Sequence, residues 1–89
     1  MNIEIKIQKN LVSIFLKNKK NIQAQIIFPE EHNLAEKLLP SIDSLLKKNK
    51  AKPTDIEKME LIADMDDSFT TYRIAKAVAD SFNWSRKIR

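Results

Sequence analysis

The chain has 89 residues, a single His, no Cys and no Gly, and 16 basic against 12 acidic residues for a net charge of +4. That length holds one domain (1–89) with a modest core and no second lobe to close over a nucleotide. The missing cysteines exclude a disulfide framework and a thiolate zinc site. The missing glycines exclude phosphate-cradling loops that work by close backbone approach; with a single His and no Cys as well, no metal, nucleotide or other cofactor is expected.

Residues 2–8 (Asn-Ile-Glu-Ile-Lys-Ile-Gln) alternate strictly, which predicts a half-buried strand with Ile3, Ile5 and Ile7 on one face. Residues 11–16 (Leu-Val-Ser-Ile-Phe-Leu) are mostly apolar and predict a second, more central strand. After a polar turn at 17–21, residues 22–28 predict a third strand with Ile22, Ala24, Ile26 and Phe28 toward the core. Short polar connections join the three, as in an antiparallel meander.

Pro29 ends that strand, and a helix follows over about 33–49. Asn33 suits its N-cap, with Glu36 completing a capping box. Leu34, Leu38, Ile42, Leu45 and Leu46 recur at helical spacing, while Pro40 should kink the helix. Residues 52–55 read as a loop with room for one short helical turn, and 59–65 as a fourth strand. A last helix over about 68–84, capped by Asp67 or Ser68, carries Tyr72, Ile74, Ala75, Val78, Ala79 and Phe82 on its apolar arc. The order is β-β-β-α-β-α, an α+β domain.

Thirteen of the sixteen cations are lysine and lie scattered along the chain. With Ile and Asn also abundant, the charge reads as compositional bias rather than a nucleic-acid footprint. A basic RNA- or DNA-binding module stays open as the rival reading. No stretch approaches the roughly 20 apolar residues of a membrane crossing. The N-terminus alternates instead of forming a signal core, so a cytoplasmic protein with no membrane contact is expected.

No catalytic constellation emerges. Asp64, Asp66 and Asp67 read as a solvated turn and helix cap. His32 has no second His or Cys to join it, and Ser13 and Ser68 lack a His/Asp context. No enzyme is expected. Both helices carry apolar arcs of about 140°, wider than the roughly 100° a helix on a sheet needs. In the first, Leu34, Leu38 and Leu45 form one edge and Leu39 and Leu46 the other; in the second, Tyr72, Ala75 and Ala79 form one edge. The surplus suits either packing of the two helices on each other or burial against a partner. One face of the first and third strands is polar, which suits a sheet with helices on one side and water on the other, although Leu11 and Phe15 would lie on the wet side. Trp84 falls on the polar side of the last helix, either folded back over the open face or free to anchor a contact.

Asp64-Met65-Asp66-Asp67-Ser68-Phe69-Thr70-Thr71-Tyr72-Arg73-Ile74-Ala75 resembles the Gly-Pro-Gly-Ser-Phe-Thr-Gly-Leu-Arg-Ile-Gly signature of the TsaB family, keeping Ser68, Phe69, Thr70, Arg73 and Ile74. That family is glycoprotease (M22)-like and belongs to the actin/hexokinase/Hsp70-like superfamily. Upstream, His32, Glu36, Leu38, Leu39, Pro40, Ile42 and Asp43 resemble the family's His-Ser-Glu-x-Leu-Leu-Pro-x-Ile-Asp stretch, in which Pro40 is expected. The resemblance implies a truncated ribonuclease H-like N-terminal lobe: a four-stranded mixed sheet with two helices on one face. It also implies a non-catalytic subunit that supports threonylcarbamoyladenosine formation in tRNA. Such a subunit would dock its helix pair on a TsaD-type catalytic protein or on a second copy of itself, with tRNA met only indirectly. The partner-binding residues expected are Leu34, Leu38, Leu45, Tyr72, Ala75 and Ala79. A relic domain without a current partner is a further alternative. Met65, Asp67, Thr71 and Ala75 replace the family's four glycines, and Lys6 replaces an aspartate of the superfamily's metal–phosphate site. Both departures count against nucleotide binding.

Overall fold

The computed structural model describes residues 1–8, 10–29, 34–64 and 70–87, with 34, 35 and 85–87 entering as backbone only. Strands β1 (Asn2–Gln8), β2 (Leu11–Asn18) and β3 (Asn21–Pro29) come first. Helix α1 (Leu34–Lys48), a 3₁₀ turn (Pro53–Asp55), strand β4 (Lys58–Ala63) and helix α2 (Thr70–Lys87) follow. The order β-β-β-α-β-α is the one the sequence predicts. The caps read at Asn33, Asp67 and Ser68, and the residues His32, Met65, Asp66 and Phe69, lie outside the described residues.

The sheet runs β3-β2-β1-β4. Antiparallel ladders join β1 to β2 and β2 to β3, and β4 lies parallel to β1. The registers align apolar residues in rows across all four strands. One row is Ala24, Leu16, Ile3 and Met59; the next is Ile26, Ile14, Ile5 and Leu61; the third is Phe28, Val12, Ile7 and Ala63. The β1 and β2 members of each row are fully buried under the helices, joined by Leu38, Ile42, Leu45, Leu46, Ile56, Ala75 and Ala79 in one core. Strict alternation in β1 leaves Glu4 and Lys6 on the opposite face, where Lys17 Nζ donates to Glu4 Oε1 at 2.9 Å.

One expectation changes, and one open alternative is decided. The alternation assigns Ile22 to the core side, but the residue is exposed. The β2–β3 register shifts between Leu16 and Lys17, so that Ala24 faces Leu16 while Ile22 faces Lys17. This bulge at Gln23 breaks the period of two and turns Ile22 to the open face. Trp84 does not fold back over the sheet; it stands exposed on α2.

Without glycine, left-handed turns fall to Asn10, Lys19 and Lys50, at φ of 65°, 60° and 55°. Lys50 closes α1 where glycine is the usual choice. The Lys50 N–H donates to the Lys47 carbonyl at 3.2 Å and the Ala51 N–H to the Leu46 carbonyl at 2.9 Å. Asn49 Nδ2 caps the Leu45 carbonyl at 2.7 Å. The chain then turns through the 3₁₀ segment, where the Lys52 N–H donates to Asp55 Oδ2 at 2.8 Å. The Glu57 N–H donates to the Met1 carbonyl at 2.8 Å, pinning the entry to β4 beside the start of β1.

Asn83 clasps the outer edge of β4. Its Oδ1 accepts from the Met59 N–H at 2.9 Å and its Nδ2 donates to the Met59 carbonyl at 2.8 Å. The side-chain amide thus substitutes for a neighbouring strand and ties α2 to the sheet. Asn83→Ala is expected to cost about 1–3 kcal/mol, because two edge groups lose their partner. A urea midpoint unchanged from wild type would contradict that role. Lys50→Gly is expected to gain about 0.5–1 kcal/mol, the left-handed penalty of a Cβ less the added chain entropy of glycine. A lowered melting temperature would contradict it.

Candidate protein-docking surface

Both helices lie on one face of the sheet, and their inner edges are spent on the core. Leu38, Leu45, Ala75 and Ala79 are at most 3% exposed. Ala75 and Ala79 have small side chains, and with them α2 settles closely on β4. Tyr72 is half-buried, and Leu34 enters as backbone only. Four of the six residues expected at a partner contact therefore lie within this chain's own core.

The opposite edges leave a groove of about 550 Å³ between α1 and α2. Leu39, Ile42 and Leu46 form the α1 wall, and Val78 and Phe82, with Ala77, the α2 wall. Ile3 and Met59 of the sheet line its floor, and Asp43 and Ser81 add polar atoms. Leu39 is 58% exposed at the lip, next in sequence to fully buried Leu38. Successive residues on a helix are about 100° apart, so one leucine serves the core and its neighbour faces outward. An apolar groove with few polar groups offers shape and apolar area to another protein's side chains. The sequence places Leu39 and Leu46 on a second apolar edge, but the wheel alone cannot say which edge the sheet consumes.

Trp84 is 64% exposed further along α2. The open sheet face carries Leu11, Ile22, Ile27 and Ile62 as scattered exposed apolar residues among Glu4, Lys6, Lys17 and Gln25. Lys6 lies there between Ser13 and Ile62. At the carboxyl ends of the parallel strands, where open α/β sheets bind ligands, the Asp64 N–H donates to the Ile7 carbonyl at 3.2 Å. Among the described residues no group of three or more His, Cys, Asp or Glu is placed to hold a metal ion. No described helix is long and apolar enough to cross a membrane.

No protein-family model matches the chain, nor does any curated protein. Solved structures do. YeaZ from Pseudomonas aeruginosa superposes with a TM-score of 0.80 at 17% identity, over 98% of this chain and 41% of that one. An uncharacterized protein with similarity to peptidase YeaZ from Pseudomonas aeruginosa superposes with the same TM-score and identity, over 98% of this chain and 40% of that one. YeaZ is TsaB, so the fold is the TsaB-like lobe that the resemblance implies. The chain spans about two-fifths of the length of these structures.

Leu38→Ala and Leu39→Ala separate core from surface at adjacent positions. The first is expected to cost about 2–5 kcal/mol and the second to stay within about 0.5 kcal/mol of wild type, both by urea unfolding. Equal losses would contradict the orientation of α1.

Proposed function

We propose that this chain is a non-catalytic, TsaB-like interaction subunit in the pathway that makes threonylcarbamoyladenosine in tRNA. It docks its helix pair on a TsaD-type catalytic protein, and tRNA is met through that partner. The observation that carries this reading is the open apolar groove between α1 and α2, with Leu39 at its lip. The helices that border it are the pair that makes the partner contact in the resembled family. The contact shifts from the inner residues Leu38, Leu45, Ala75 and Ala79 to Leu39, Val78 and Phe82. The inner residues set the spacing of the helices from beneath. The YeaZ-like fold supports the role, and the proton-transfer and nucleophilic groups needed for chemistry are left to the partner.

The affinity of such a contact comes from apolar burial, so salt affects it little. A nucleic-acid site would lose orders of magnitude between about 50 and about 200 mM salt.

Tagged chain incubated with host extract is expected to retain a TsaD-type protein, identified by mass spectrometry. Leu39→Lys should reduce the retained amount at least tenfold, whereas Leu11→Lys on the open sheet face leaves it unchanged. Retention of no TsaD-type protein, or equal retention by Leu39→Lys, would overturn the reading.

A further inference from the structure

Ala75, Ala79 and Asn83 recur every four residues along α2, on the stripe turned to the sheet. The two alanines are buried in the core, and their contact is apolar. Apolar contact has no direction, so it holds α2 down without fixing where the helix sits along or across β4. Asn83 supplies the direction. Its bonds to the N–H and the carbonyl of Met59, at 2.9 and 2.8 Å, depend on both distance and angle.

The place of this clasp joins it to the groove. Met59 is 3% exposed and lines the groove floor, on the outermost strand of the sheet. Phe82, next to Asn83 in the chain, lines the α2 wall, as does Val78 about one turn earlier. Asn83 is not itself a lining residue. The hydrogen bonds are therefore one residue step from the wall, and they grip a residue of the floor directly.

We propose that Asn83 is a positioning residue for the groove. It fixes the α2 wall against the floor and so sets the shape that a docking protein meets, without touching that protein. The inference rests on the reading of the groove as the docking site for a TsaD-type protein, and it adds the group that controls the site's shape. Clasp and docking are then linked. When the clasp opens, Val78 and Phe82 lose their registration with Met59 and the groove fits its partner less well. A bound partner must in turn hold the clasp shut, by the same factor by which the clasp raises affinity.

The test compares Asn83→Ala with Ile14→Val, a core change in a fully buried residue that does not line the groove. Both are studied at a temperature where every form is folded, so that loss of stability alone leaves binding unchanged. Affinity for the host's TsaD-type protein, by titration calorimetry, should fall at least tenfold in Asn83→Ala and stay within about twofold in Ile14→Val. In the free chain the Val78 methyl resonances should move in the first variant and not in the second. Amide exchange on the wild type needs no variant: the Met59 N–H should exchange at least tenfold more slowly when the TsaD-type protein is bound. Wild-type affinity in Asn83→Ala, an equal loss in Ile14→Val, or Met59 exchange that ignores the partner would overturn the proposal. Val78 resonances unmoved in free Asn83→Ala would overturn the positioning role alone, whereas a wild-type chain that binds no TsaD-type protein would overturn the docking reading beneath it.

Discussion

Three rows of apolar side chains crossing β3, β2, β1 and β4 decide the rest of the molecule. Their central members are removed from water completely. They demand a cover that is two helices wide, and each helix must turn one stripe inward. Burial at about 25 cal/mol per Å² makes this the dominant favourable term in so small a domain. What each helix has left over after that demand is the material available for recognition.

Leu38 and Leu39 show the division at its sharpest. One is sealed in the core and the other stands in solvent, with a single residue step between them. The same rule sends Ala75 and Ala79 down onto the sheet and leaves Val78 and Phe82 on the groove wall. A partner that fills the groove would touch side chains held rigid by the core beneath, so little conformational entropy is lost on docking. The sheet's other face lies on the opposite side from the helices and takes no part in the groove.

Much of the fold was legible because β1 alternates strictly and the helices repeat their leucines at regular spacing. The bulge that exposes Ile22 was not legible, since Asn-Ile-Gln-Ala-Gln-Ile alternates as well with it as without it. Nor was the Asn83 clasp on Met59, which joins residues 24 positions apart through tertiary geometry alone. Wide apolar arcs announced that each helix has more hydrophobic surface than a sheet requires. Which edge the sheet would consume depended on how α1 and α2 settle, and the small alanines lie on the buried side. The Ser-Phe-Thr and Leu-Leu-Pro resemblance agreed with the fold, although residues 65–69, which hold much of the first motif, lie outside the described residues.

Hydroxyl-radical footprinting of the chain, free and bound to a TsaD-type protein, reads the surface directly. Leu39, Val78 and Phe82 should lose oxidation on binding, while Leu11, Ile27 and Ile62 on the far face of the sheet keep theirs. Protection confined to the far face, or none at the groove in a verified complex, would contradict the division of the helices into a core side and a recognition side.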